Sequence, residues 1–190
     1  MRTLISTAFV SLDGVVQDPG GQTDYRNGGW TFKNVDFVPE AYALKGSEQA
    51  ESTAVLMGRK SYELFSPVWP GMEEFAHYKD LPKYVVSTTL TDDKLVDNWG
   101  PTTILGSLDD VAKLKETEGG PIVVHGSVTL NHALSDAGLI DRYNLLVFPL
   151  LLGAGEQLFS NTDKDAQKLK LVDSEVYSNG IQKNIFDIVR

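Results

Sequence analysis

Cysteine is absent from the 190 residues of this chain. Disulfides, thiolate nucleophiles and cysteine-ligated zinc are therefore excluded. Basic residues are in short supply: 17 Lys and Arg stand against 26 Asp and Glu, a net charge of -9. Nucleic acid needs a basic face to displace its counterions, so no nucleic-acid partner is expected. Long apolar runs are missing as well, which leaves nothing to span a membrane. Leu4–Val10 is short, interrupted by Ser6 and Thr7 and soon followed by Asp13, unlike a secretory signal. A soluble, cytoplasmic protein is the expectation. GxGxxG, a P-loop ending in GK[ST], HExxH and GxSxG are all lacking, which removes the usual dinucleotide, kinase-type, zinc-protease and serine-hydrolase fingerprints. His77, His125 and His132 are too dispersed to suggest a metal site.

What is present suits one globular domain. The composition is 42% hydrophobic and 23% charged, and the length is sufficient for a substantial core. The organising stretch is Ser52–Phe65 (STAVLMGRKSYELF). Ala54–Met57 reads as a buried strand, Gly58 as a tight turn, and Arg59 onward as a helix carrying Tyr62, Leu64 and Phe65. Two cations in a first helical turn oppose the helix dipole unless an anion sits there. In so acidic a chain, Arg59 and Lys60 point to a phosphate site. Two solvated charges on a surface turn are the alternative.

Around this stretch the pattern predicts strands at Thr3–Leu12, Lys83–Ser87, Thr102–Leu105, Ile122–His125 and Arg142–Leu152. Helices are expected from Pro39 to about Glu51, over Met72–Tyr78, Leu108–Glu118 and Val128–Ala137. Lys168–Tyr177 and Ile181–Val189 read as an antiparallel hairpin across Ser178-Asn179-Gly180. Asp13-Gly14 marks a turn, after which Val15-Val16 resumes the apolar pattern. Gln17–Gly29 is a polar, glycine-rich loop long enough to be a lid. Trp30–Val38 has no clear period. The expected fold is a single-domain α/β mixed sheet, mostly parallel with a C-terminal antiparallel hairpin, flanked by helices.

Three strand ends share a design. Gly58-Arg59-Lys60 offers cations and backbone N–H groups, Ser87-Thr88-Thr89 offers hydroxyls, and Gly126-Ser127-Val128-Thr129 leads into a helix N-terminus. Ligands of open α/β sheets bind outside the carboxyl ends of the parallel strands, and three such turns suit a ligand with several phosphates. For Gly126-Ser127 the competing reading is an ordinary helix N-cap. His77 reads as a surface residue, His125 as a hydrogen-bonded core histidine, and His132 as a residue on an exposed helix face. Trp30 and Trp69 read as buried packing residues, with a pocket wall as the alternative.

Taken in order, Ser11-Leu12-Asp13-Gly14, Leu56 through Glu63, Trp69-Pro70, Lys83 through Ser87, Gly126-Ser127 with Leu130 and Leu134, Gly138-Leu139-Ile140-Asp141, and Pro149 with Leu152-Gly153-Ala154-Gly155 to Leu158-Phe159 span nearly the whole chain. This set resembles the dihydrofolate reductase-like superfamily, in the branch related to the C-terminal reductase domain of the riboflavin-biosynthesis deaminase-reductase. The resemblance implies NADPH bound across the sheet. It places Arg59 and Lys60, with Ser87 and Thr88, at the adenosine 2′-phosphate. Gly126, Ser127, Val128 and Thr129 would cradle the pyrophosphate, and Ala8, Val15 and Val16 would border the nicotinamide. A carboxylate on the helix after the flexible loop supports protonation in dihydrofolate reductases, and Asp36 and Glu40 occupy that general region. Riboflavin-pathway reductases usually carry a lysine four residues before the SLDG serine, where this chain has Thr7, and their Gly-x-x-Thr-Val pattern is replaced by Gly58-Arg59-Lys60-Ser61-Tyr62.

The resulting expectation is an NADPH-dependent reductase delivering hydride to a C=N or C=O bond of a small, heterocyclic substrate. A non-catalytic NADP(H)-binding or regulatory module, and a riboflavin- or folate-pathway reductase proper, are the alternatives. Relatives in this branch are commonly dimers, so a homodimer is expected. The Tyr143–Leu152 run is either part of its interface or a central core strand.

Overall fold

A computed structural model describes all 190 residues. The strands are β1 (Leu4–Ser11), β2 (Ala54–Gly58), β3 (Lys83–Val86), β4 (Thr102–Leu105), β5 (Ile122–Val124), β6 (Arg142–Phe148), β7 (Leu169–Val176) and β8 (Gln182–Ile188). They form one sheet in the order β4-β3-β2-β5-β1-β6-β8-β7. The first six run parallel, β8 is antiparallel to β6, and β7 is antiparallel to β8. The helices are α1 (Trp30–Lys33), α2 (Ala43–Glu51), α3 (Arg59–Phe65), α4 (Leu108–Glu116) and α5 (Val128–Asp136).

β2 is buried at every residue, as its uninterrupted AVLMG run requires of a parallel strand covered on both faces. On one face Leu4, Leu56, Ile122 and Val124 pack against Val111 and Leu114 of α4 and Leu130 and Leu134 of α5. On the other, Val55, Met57, Val85 and Val123 pack against Tyr62, Trp69, Tyr78 and Trp99. A third cluster joins Leu44 of α2 to Trp30, Leu146 and Phe148.

Several boundaries differ from the sequence expectation. The long apolar run from Arg142 stops as a strand at Phe148, because Pro149 has no N–H to donate to the ladder. Arg142–Phe148 lies between β1 and β8, as a central core strand. Pro39–Tyr42 is a 3₁₀ turn that precedes α2 rather than its first turn, and Glu73–Tyr78 is also 3₁₀. In the hairpin turn, Gly180 has φ +85°, and a Cβ there would meet Pro149 at 3.2 Å.

The end of the sheet where the parallel strands begin is closed by polar contacts. Asp141 accepts from the Leu4 N–H at 2.7 Å and pairs with Lys115 and Arg190, each at 2.7 Å. The aspartate of the Gly138–Asp141 motif is thus architectural. Lys83 is fully buried, donates to the Lys79 carbonyl at 2.7 Å and lies 5.1 Å from the centre of the Trp99 ring. Burial lowers its pKa from 10.5 to about 8, against a smaller opposing pull from Asp80.

The unfolded chain therefore holds this proton more tightly than the folded one between pH 8 and 10.5. Stability is expected to rise with pH across that window and to be lowest below it, by about 3 kcal/mol at most. Urea midpoints of the wild type and Lys83→Met at pH 7.5 and pH 10 check this. The wild type should gain more than the variant, and equal gains would show that Lys83 carries no such penalty.

Candidate active site

β1 pairs with β5 only from Leu4↔Ile122 to Ser6↔Val124, yet continues along β6 as far as Ser11↔Phe148. From Thr7 onward the β5 side of β1 is open, and a cleft begins in the middle of the sheet. Its far wall is the turn after β5. There Gly126, at φ +64°, accepts from the Gly58 N–H at 3.1 Å. The contact demands glycine: a Cβ on Gly58 would stand 2.5 Å from Ser127 Oγ, and one on Gly126 would stand 2.8 Å from Ser61 Oγ. The two glycine turns expected to share a ligand are therefore in direct contact at the carboxyl end of the parallel strands.

Arg59 and Lys60 are both exposed beside this contact. Arg59 reaches only Glu63, at 3.5 Å. It lines an open depression of about 450 Å³ together with Thr89, Thr91 and Lys94. Ser87, expected to serve here, instead turns its hydroxyl inward and accepts from the N–H groups of Thr89 and Leu90, while Thr88 is exposed. Thr91 and Lys94 were not singled out by the sequence, because only the fold carries their loop to Arg59. Ser127 caps α5, accepting from the Leu130 N–H at 3.5 Å, with Val128 half-buried and Thr129 exposed. Ala8 and Val16 are half-buried against the α5-side core, and Val15 is fully buried in a bridge to Gln157.

Asp36 and Glu40 are exposed, and the Asp36 carbonyl is bonded to Asn179 of the hairpin turn. A buried carboxylate lies further on, at Glu48 of α2, whose two oxygens share the single Thr7 hydroxyl proton, each 2.8 Å from Oγ1. Lys45, one helical turn earlier, donates to Thr7 Oγ and pairs with Glu48 at 3.2 Å. At the position where the riboflavin-pathway reductases carry a lysine, an ammonium thus arrives from α2 instead. The signal available in the sequence was the Lys45/Glu48 spacing of three, which places both on one helix face. Beside them His125 Nε2 is bonded to Tyr78 Oη at 2.9 Å. Burial, reinforced by the Lys45 charge, lowers the His125 pKa to about 3. Burial and the Glu48 charge push the Tyr78 hydroxyl well above its ordinary range. The cluster therefore holds one cation, one anion, a neutral imidazole and a protonated phenol. A cavity of about 180 Å³ extends from it, lined by Glu48, Glu51, Arg142 and the buried Asn144.

His77 is exposed, whereas His132 is half-buried and bonded to the Gln157 carbonyl at 2.8 Å. Trp30 and Trp69 are packing residues, Trp69 stacked between Phe65 and Phe75 at 4.1 and 4.0 Å. The 17–29 loop is tied to the 152–156 segment through Gln17, Tyr25 and Asn27. Asp13 of the SLDG turn accepts there too, from the Leu152 and Gly153 N–H groups.

The profile of the RibD C-terminal domain matches residues 2–183. The chain belongs to the RibD C-terminal domain family. Among its relatives are two uncharacterized proteins of Bacillus subtilis strain 168. YyaP is 27% identical over 97% of this chain and 94% of its own length, and YwjB is 26% identical over 95% of each. Solved structures share the fold over 100% of this chain. A protein of Shewanella sp. PV-4, provisionally named for riboflavin biosynthesis, superposes with TM-score 0.77 at 20% identity over its full length. Acinetobacter baumannii RibD gives 0.65 at 16% identity over 59% of its length. A pyrimidine reductase-like protein of Corynebacterium diphtheriae gives 0.63 at 13% over 92%. The RibD-like reductase fold, related to dihydrofolate reductase, is thus shared.

The polar cluster makes its own prediction. Neutral His125 costs the folded state a proton that the unfolded chain binds below pH 6.5, so stability should fall as pH drops from 6.5 toward 3. By nitrogen-detected NMR the His125 ring should stay neutral down to about pH 4. In Lys45→Met, which removes the neighbouring cation, its pKa should rise. A ring that titrates near 6.5 in the wild type would contradict the assignment.

Proposed function

We propose that this protein is an NADPH-dependent reductase that delivers hydride to a C=N or C=O bond of a small heterocyclic substrate. The observation that carries the reading is the meeting of the Gly58 and Gly126 turns at the mouth of the β1–β5 cleft. The residues present fit the cofactor. Arg59, Thr89, Thr91 and Lys94, which line an open depression, offer cations and hydroxyls to a 2′-phosphate, with Lys60 exposed next to Arg59. Gly126 and Ser127, ahead of the N–H groups of Val128 and Thr129, offer a pyrophosphate the positive end of α5. In this reading Ala8, Val15 and Val16 are the residues that border the nicotinamide. Bound there, the nicotinamide supplies the hydride.

The chain's own part is to position, to exclude water and to hold a proton. Lys45 carries that proton at Nζ, oriented by Thr7 and Glu48 on the face of β1 opposite Ala8. Glu48 pairs with the ammonium, and burial keeps His125 neutral beside it. The 17–29 loop, strapped to residues 152–156, covers the end of β1 and limits solvent entry.

Thermal unfolding with NADPH, with NADH and without ligand tests the cofactor. A ligand at about a hundred times its dissociation constant stabilises by about 2.7 kcal/mol. NADPH should raise the midpoint well above NADH, and Arg59→Ala should remove most of that difference. No shift with either nucleotide would reject the reading. Binding without substrate-linked NADPH oxidation would favour a non-catalytic module instead.

A further inference from the structure

The cavity of about 180 Å³ between α2 and the sheet has a lining that the reductase reading does not use. Ile5 of β1 and its paired neighbour Val123 of β5 lie on one side of it, and Arg142 and Asn144 of β6 on another. Ile5 shares a face with Thr7 and precedes it by one strand repeat. The cavity therefore lies toward the amino ends of the parallel strands, whereas the Gly58 and Gly126 turns lie at their carboxyl ends. Within the lining, Asn144 is only 5% exposed and its Oδ1 has no hydrogen-bond partner. Buried polar atoms are nearly always paired, so an amide left open beside a cavity marks a place where a partner fits.

The polar groups around Asn144 share one bias. Ser47 Oγ donates to the Leu44 carbonyl and Ser52 Oγ to the Glu48 carbonyl, so both hydroxyl protons are committed and only lone pairs remain. Arg142 gives Nε and Nη2 to the Asp187 carboxylate, at 2.7 and 3.2 Å. Glu48 is matched by Lys45, but Glu51, exposed at the end of α2, is in no ion pair. The lining thus offers acceptors and one unmatched negative charge. An apolar cavity of about 150 Å³ holds benzene, so a ligand of that size fits. A guanidinium-type cation is planar, more weakly hydrated than an ammonium, and carries N–H groups on several edges. We propose that this cavity is a second small-molecule site, for a small amidinium or guanidinium ion that donates to Asn144 Oδ1 and pairs with Glu51. The site does not rest on the cofactor reading, because none of its residues belongs to the nucleotide turns. Glu48 is common to the cavity and to the Thr7 cluster, so occupancy places a second cation against the carboxylate that orients Lys45.

Calorimetric titration of the nucleotide-free protein with acetamidinium chloride tests this. Tetramethylammonium chloride at the same ionic strength serves as a cation without N–H donors, and sodium acetate as an anion probe. Acetamidinium should saturate one site with a dissociation constant of about a millimolar or below, and neither of the others should bind. Asn144→Leu replaces the open amide by an apolar group of similar volume. Its unfolding midpoint should hold or rise, while its affinity for acetamidinium should fall about tenfold or more. Glu51→Gln, at an exposed position, should fold as the wild type does and weaken binding most at low salt. No saturable binding of acetamidinium would overturn the proposal and leave the cavity to water. Binding undiminished by both variants, or matched by tetramethylammonium, would overturn it too. Acetate binding in its place would do the same, by marking Arg142 as the receptor of an anion.

Discussion

The fold turns on a single interruption of pairing. β5 is only three residues long and leaves β1 after Ser6, while β1 runs on beside β6. A continuous sheet would have no interior opening. Here the departing chain turns at Gly126, and its carbonyl is captured by the Gly58 N–H at the end of β2. The β2 and β5 turns are tied to each other, and a gap is left between them and β1. Both residues must be glycine for the two turns to approach so closely. The cleft, the exposed cations at Arg59 and Lys60, and the start of α5 all take their positions from that contact.

The two faces of β1 then acquire different chemistry through strand alternation. Ala8 faces the α5 side, where the surroundings are small and apolar. Thr7 faces α2, where Lys45, Glu48, His125 and Tyr78 form a polar cluster inside an otherwise apolar layer. Burying so many polar groups is tolerable because they satisfy one another: Thr7 is shared by Lys45 and Glu48, and the histidine is kept neutral against the phenol. Such clusters are costly to maintain by comparison with packed aliphatic residues, which is why their presence beside a cleft is informative about chemistry.

Much of the fold was legible in the chain. The strands at Ala54–Gly58, Thr102–Leu105 and the terminal hairpin fall where the apolar patterns put them, because period and turn residues are local properties. Proline corrected two boundaries, at Pro39 and Pro149. The site was legible in part. Gly58 and Gly126 were visible as turns, and the structure brings them together. Glu48 was missed because Asp36 and Glu40 lie nearer the flexible loop in sequence, and only the rotation of α2 determines which carboxylate points inward. The inward turn of the Ser87 hydroxyl was not legible, because it depends on how the loop after β3 folds back onto its own backbone.

The sequence by itself determined the elements, the soluble-type composition, the absence of thiol chemistry and the glycine positions where the backbone must turn. These follow from propensities and spacings that act over a few residues. Only the tertiary structure decided which buried carboxylate faces β1, which cation meets Thr7, and which buried amide is left without a partner. Those outcomes depend on groups far apart in the chain, such as Thr7 with Glu48 and Gly58 with Gly126, and no local pattern encodes the packing that joins them.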